Sequence, residues 1–273
     1  ANRSVPVSVA SGVVAVAAGG NSSFYIQSDG TLWGMGANGY GLLGDGTSTI
    51  RTSPVKVARP VAWVATSGYH TLYVKRDGSL WAMGGNGSGQ LGDNTQFDRM
   101  TPVQVVGSGV VAAWAGWGHS LFLKSDGTLW GMGERTNGRL GDGYWGTEVS
   151  YQLTPKQLES GVVSAVALSD RSLWVKSDGK LLVTVRNAGY SWSEVASGVA
   201  HVFGHSDGYG YVKRDGTVYQ GWALSGSQFL NGSTLSGWAV RTALSSGRSG
   251  HQVLQTNDGQ LWAYGVTTSG QLG

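Results

Sequence analysis

The side chains able to do acid–base, nucleophilic or metal chemistry are few in this chain: five His, twelve Asp and four Glu, with no Cys. Without Cys there is no disulfide, no thiolate nucleophile and no Cys-ligated metal. The carboxylates sort by position. Asp29, Asp77, Asp126, Asp178, Asp215 and Asp258 each precede a Gly, and Asp45, Asp93 and Asp142 each follow a Leu-Gly pair. Only Asp98, Asp170, Asp207 and the Glu at 134, 148, 159 and 194 stand elsewhere. His70, His119 and His251 all lie seven residues before a recurring Asp, so a structural hydrogen bond explains them better than catalysis. His205 and Asp207 are two apart in an expected loop and could meet. A general acid–base site needs further groups to orient such a pair, and none is indicated. No catalytic residue is assigned, and the chain is not expected to be an enzyme.

Metal and phosphate chemistry find no better footing. His201 and His205 are four apart, but their surroundings read as strand and loop, where helical spacing logic does not apply. Gly84-Gly85-Asn86-Gly87-Ser88-Gly89 mimics a phosphate loop, yet no Lys-Ser/Thr pair and no helix follow it. Asp45-Gly46 and Asp93-Asn94 start like calcium loops without the alternating ligands or a closing Glu. No metal and no cofactor is expected.

Composition narrows the classes further. Charged residues are 13% and the formal net charge is +3, too small an excess for a nucleic-acid or membrane surface. The 46 Gly in 273 residues are about twice the usual share, without the three-residue period of collagen. Apolar residues at 40% are too many for a disordered chain, and no run reaches the roughly 18 residues of a membrane span. The sequence opens at Ala1 without the basic and apolar regions of a signal peptide. With no Cys, that fits an exported protein, so a secreted or cell-surface monomer is expected.

A tandem repeat must position all of these residues. Asp29-Gly30-Thr31-Leu32-Trp33, Asp77-Gly78-Ser79-Leu80-Trp81 and Asp126-Gly127-Thr128-Leu129-Trp130 are followed by two looser copies, at Asp178-Gly179 and Asp215-Gly216, and by a full one, Asp258-Gly259-Gln260-Leu261-Trp262. In the first copy Val13 to Ala18 reads as a buried strand and Phe24-Tyr25-Ile26 as a second. Ser28-Asp29-Gly30 makes a tight turn, Thr31-Leu32-Trp33 opens a third strand, and Pro54-Val55-Lys56-Val57 is a fourth. Four short strands per copy predict an all-β fold, a β-propeller of four-stranded antiparallel blades forming one domain over residues 1–273. Trp33, Trp81, Trp130 and Trp262 share one repeat position and read as blade packing.

At these residues the sequence resembles the regulator-of-chromosome-condensation repeat family. The motif reads Gly118-His119-Ser120, then Asp126-Gly127, then Trp130-Gly131-Met132-Gly133, then Gly138-Arg139-Leu140-Gly141. Gly89-Gln90-Leu91-Gly92 and Gly270-Gln271-Leu272-Gly273 match its last part, whereas the copies at Asp178 and Asp215 are degenerate. The resemblance implies a propeller that binds a protein partner. Family members usually have seven blades, and six anchors stand here. Six blades are expected, with Arg3 to Val9 closing the last blade as its outer strand; a seven-bladed ring or a fragment of a longer array are the alternatives. The family's eukaryotic namesake promotes nucleotide exchange on a small GTPase and docks on chromatin. No basic tail for the latter is present, and no exchange residue is carried over.

In such a meander the first-to-second and third-to-fourth connections open on the face opposite the Asp-Gly turns. Repeat arrays place variable loops on their binding face. The residues expected there are Asn21, Tyr40, Tyr69, Trp117, Trp145, Asp170, Arg171, His205, Asp207, Tyr209 and Arg248. Trp117 and Trp145 lie off the repeat, and exposed loop aromatics suit protein hot spots and sugar stacking alike. The expected partner is a protein or cell-surface component, with a glycan ligand as the alternative.

Overall fold

The structure is a computed structural model that describes residues 7–144, 146–187, 190–205, 208–222, 240–246, 251–256 and 261–265. Apart from one 3-10 turn at Thr136–Gly138, the regular elements among them are strands, arranged as six antiparallel sheets. Blade I holds β1 (Val13–Gly19), β2 (Ser22–Gln27), β3 (Leu32–Gly36) and β4 (Arg51–Ala58). Blade II holds β5 (Val61–Thr66), β6 (His70–Lys75), β7 (Leu80–Gly84) and β8 (Arg99–Val106). Blade III holds β9 (Val110–Ala115), β10 (His119–Lys124), β11 (Leu129–Glu134) and β12 (Tyr151–Glu159). Blade IV holds β13 (Val162–Ala167), β14 (Ser172–Lys176), β15 (Leu181–Asn187) and β16 (Tyr190–Ala196). The described residues give three strands each to blade V, with β17 (Val199–His205), β18 (Gly208–Lys213) and β19 (Val218–Trp222), and to blade VI, with β20 (Val240–Ser246), β21 (His251–Thr256) and β22 (Leu261–Gly265). Among the described residues no helix is long and apolar enough to cross a membrane.

The repeated turn shows why this sequence folds into hairpins. Asp77 Oδ1 accepts from the Ser79 amide at 2.9 Å and its hydroxyl at 2.6 Å, and Asp126 treats Thr128 in the same way. These bonds hold both carboxylates below the usual range. Gly78 and Gly127 both take φ +79°, a conformation that favours glycine. The same hydroxyl accepts from the indole N–H two residues on, of Trp81 at 3.0 Å and Trp130 at 2.8 Å. Each indole stacks on its cross-strand partner, Tyr73 or Phe122, and carries a Lys ammonium, Lys75 or Lys124, on its ring. One pentapeptide therefore sets turn, register and surface packing together.

Blades are stitched in series. The turn carbonyls of Gly30, Gly78, Gly127 and Gly179 accept from the amides of Val61, Val110, Val162 and Val199, which open the next blade's first strand. Those four valines are 3% exposed or less, whereas Val13 at the same place in blade I keeps 38%. First strands pack on first strands from blade to blade, so they form the inner ring. Each has a β-bulge directly after its leading residue, in all six blades. Of the expected closing segment, residues 7–9 are described and form no strand, with Val7 and Val9 exposed. Arg3 to Pro6 and the Asp258 turn lie outside the described residues, as does Gly270 to Gly273.

The Gly-x-Leu-Gly segments drive a leucine into the core: Leu43, Leu91 and Leu140 are fully buried. Buried Asn38 and Asn86 fold the loops around them. Their side-chain oxygens accept from Leu43 N and Leu91 N, and their amide nitrogens donate to Asp45 and Asp93. Arg51 and Arg99 close on the same carboxylates at 2.6 Å. In blade III, Arg135 stands in the Asn place and pairs directly with Asp142 at 2.8 Å, joined by Lys156 at 3.1 Å. The Asp residues that resembled calcium loops are thus loop braces. Among the described residues no group of three or more His, Asp or Glu gathers as metal ligands do.

Candidate functional site

The face opposite the Asp-Gly turns gathers three of the expected residues from three successive blades. Tyr40 lies in the β3–β4 connection, Tyr69 between β5 and β6, and Trp117 between β9 and β10. Their ring centroids follow at 6.1 and 5.9 Å, with the rings tilted by 42° and 49°. They are 47%, 37% and 51% exposed, so the row is offered to solvent. Backbone packing fixes it. Gly85, which lies beneath the Tyr40 ring, donates its amide to the Tyr69 carbonyl at 2.8 Å. Gly20 and Gly68, at the place of Trp117 in their own copies, approach each other too closely to admit side chains. Blade III is free of that constraint, and the Trp117 amide bonds the Leu168 carbonyl instead.

Beyond Trp117 the surface changes from rings to paired charges. The Glu134 amide donates to Gly118 O at 2.7 Å, which brings its carboxylate beside the Trp117 loop. Arg139 Nη1 donates to Glu134 Oε2 at 3.0 Å and to Ser169 O at 3.3 Å. Asp170 and Arg171 form a two-bond pair, both contacts at 2.9 Å. The Arg171 hydrogen bonds hold Asp170 below the usual carboxylate range, and burial lowers Arg139. Within each pair the carboxylate is the more exposed partner.

The recurring histidines serve the blade interfaces. His70 Nε2 meets Ser120 Oγ of the next blade at 2.7 Å, and that hydroxyl donates to Gln90 O. The hydroxyl proton is spent on the carbonyl, so the ring N–H is the donor. His119 repeats the arrangement with Ser172, whose hydroxyl donates to Arg139 O. Burial pushes both rings down to about 3. His201 bonds Ser164 of blade IV. None of these bonds is to a carboxylate, so they do not form an acid–base pair.

The other expected residues are spread. Asn21 is exposed in the β1–β2 loop of the same face. Tyr209 departs from the expectation: it begins the interior of β18, is 3% exposed and packs with Leu168, Val166 and Val202 in the core. The reason is local. Gly204 across the hairpin leaves room for a large ring where a loop had been expected. Trp145, Asp207 and Arg248 lie outside the described residues, as does the side chain of His205. Glu134 and Arg139 were missed because Arg139 sits inside the Gly-x-Leu-Gly segment and Glu134 directly follows the Trp-Gly-x-Gly segment. Their signal was a departure from the other copies, which have Ala37 and Gly85 in place of Glu134, and Leu42 and Gln90 in place of Arg139.

Comparison with known proteins fits this architecture. The regulator of chromosome condensation (RCC1) repeat matches residues 29–74 and 77–123, and a second description of the same repeat matches 13–42, 63–90 and 111–139. The chain carries RCC1 repeats over residues 13–139. Among solved structures the RCC1-type fold recurs in human WBSCR16, at 19% identity and TM-score 0.78 over 96% of this chain and 78% of that one. Kap60 bound to yeast RCC1 (Prp20) matches at 15% identity and TM-score 0.77, over 96% and 71%. Prp20p from Saccharomyces cerevisiae, described with its binding to Gsp1p and histones, matches at 15% and 0.75, over 95% and 73%. These likenesses establish the fold. No curated protein sequence matches the chain.

Proposed function

We propose that this RCC1-type propeller is a non-enzymatic binding protein that docks a protein partner on the face carrying Tyr40, Tyr69 and Trp117. The observation behind the reading is that row of three contacting, solvent-facing rings, drawn from three consecutive blades. Clustered exposed aromatics are what hot spots use, and soluble proteins rarely leave such rings together without a partner. Phe97, at 74% exposure, offers a further ring from the β7–β8 connection. The fold likeness to yeast RCC1 (Prp20), seen bound to Kap60, adds support at the level of architecture alone. A glycan is the second reading, favoured by the exposed Trp117 ring and by the two-bond Asp170–Arg171 pair on the loop whose Leu168 carbonyl receives the Trp117 amide.

The test is a protein pull-down run beside a glycan array with wild type, Trp117→Ala and Lys180→Ala. Lys180 follows an Asp-Gly turn on the opposite face. Trp117→Ala is expected to weaken capture at least tenfold, about 1.4 kcal/mol, while the melting temperature barely moves. Lys180→Ala should change neither. Equal capture by all three chains, or a signal confined to the array, would overturn the protein reading.

A further inference from the structure

We propose that the Tyr40–Tyr69–Trp117 row takes an extended proline-rich segment in the polyproline II conformation, with a basic residue seated at the Trp117 end. This rests on the reading of the same face as the docking face. Three observations converge on that occupant.

The first is shape. Rings tilted by 42° and 49° do not make a flat platform; their faces meet at an angle, so the row is corrugated. Successive rings lie 6.1 and 5.9 Å apart. A polyproline II strand has three residues per turn and rises about 3.1 Å per residue, so one turn of roughly 9 Å can lie along the row with its pyrrolidine rings on the aromatic faces. The second is hydrogen bonding. Polyproline II carbonyls have no internal partner, and the exposed row offers two phenol hydroxyls and one indole N–H as donors. Aromatic-lined grooves bind such segments because the strand is already ordered and loses little entropy.

The third is charge. The row itself carries none, so an uncharged stretch suits it. At its Trp117 end the two ion pairs turn their carboxylates outward: Glu134 is 23% exposed against 12% for Arg139, and Asp170 57% against 27% for Arg171. An Arg or Lys of the segment can lie on the Trp117 ring and meet those carboxylates.

The experiment titrates the full chain with a short synthetic peptide of repeated Ala-Pro-Pro ending in Arg, followed by tryptophan fluorescence and calorimetry. Saturable binding is expected, weakened at least tenfold by Tyr69→Ala and by Trp117→Ala with melting transitions unchanged. Asp170→Asn should weaken the Arg-ended peptide several-fold and leave a Gln-ended version unaltered. A Gly-Ser peptide of the same length ending in Arg should bind at least tenfold more weakly. Equal binding of the Gly-Ser peptide, or binding indifferent to both ring changes, overturns the assignment. So does a peptide that never binds while partner capture is still lost in Trp117→Ala; that outcome leaves the docking face standing and removes only the polyproline occupant.

Discussion

Blades III and IV are neighbours built to one plan, yet they fill the same space with different residues. In blade III the second strand brings Phe122 against Trp130, and Met132 lies over Gly92 of the preceding loop. In blade IV the pair is Trp174 against Leu182, and the place of Met132 goes to the smaller Thr184. The Trp174 ring then reaches Gly141, as Met132 reaches Gly92. Bulk has moved from the third strand to the second, while the volume between the blades is kept. The loops differ too. Blade III carries a long β11–β12 connection braced on Asp142, whereas β15 ends at Asn187 and β16 begins at Tyr190. A repeat can therefore lose its sequence signature and keep its blade, provided the space over each loop glycine stays full.

Removing that fill gives the largest expected effect. Trp174→Ala should cost about 3–5 kcal/mol, and Leu91→Ala, which empties the loop plug of blade II, about 2–5 kcal/mol. The sharper experiment is an exchange. Trp174→Phe alone leaves a cavity over Gly141, and adding Thr184→Met returns blade IV to the blade III arrangement. Denaturation midpoints of both single variants and the double variant measure the coupling. The double variant is expected to be more stable than Trp174→Phe alone. If Thr184→Met harms that variant as much as it harms wild type, the volume exchange between strands is wrong.

The same contrast explains how far the sequence could be read. The Asp-Gly turns, the hairpins and the packing role of Trp81 and Trp130 were visible because one short peptide carries turn, register and ring contact together. Blade IV was visible only through its Asp178 turn, since Trp174 does the work of a residue ten positions further along. Pairwise compensation of that kind leaves no single-position signal. On the candidate face, Trp117 stood out as a departure from Gly20 and Gly68, but its contact with Tyr69 joins two blades and has no local spacing. Tyr209 was misplaced for a related reason: the strand boundary at Gly208 depends on pairing with His205 and Trp222, not on the loop-like Gly-Tyr-Gly sequence.

Protonation should probe the joints between blades at a middle magnitude. His70 and His119 are neutral in the fold, pushed to about 3 by burial, against an ordinary value of 6.5. The unfolded chain therefore takes up protons first as pH falls. The stability is fully present above about 6.5 and drains away as pH drops toward 3, at up to about 1.4 kcal/mol per pH unit for each ring. Urea midpoints should fall steeply between pH 7 and pH 5. His119→Ala should cost on the order of 1–3 kcal/mol at neutral pH, through the partners it leaves unsatisfied, and should flatten this dependence. A variant with an unchanged slope would move the acid sensitivity to other groups, His201 among them.

The smallest effect separates the two blades at their outer surface. Lys124 ends the second strand of blade III with its ammonium 4.5 Å from the Trp130 ring centre, while Lys176 ends that of blade IV. Lys176 has Leu182 across from its strand instead of a Trp, and it turns to Glu159 at 2.9 Å and to the Ser160 carbonyl. Changing either Lys to Met keeps the apolar stem and removes only the charge. Lys124→Met should then cost about 0.5–1 kcal/mol, because the indole face still needs a cation. Lys176→Met should cost about 0.2–1 kcal/mol at low salt and less at 1 M, where the ion pair is screened. Thermal melts at both salt concentrations make the comparison. Equal salt sensitivity in the two variants would mean that the cation over Trp130 behaves as one more surface charge, and that the two blades differ in their cores alone.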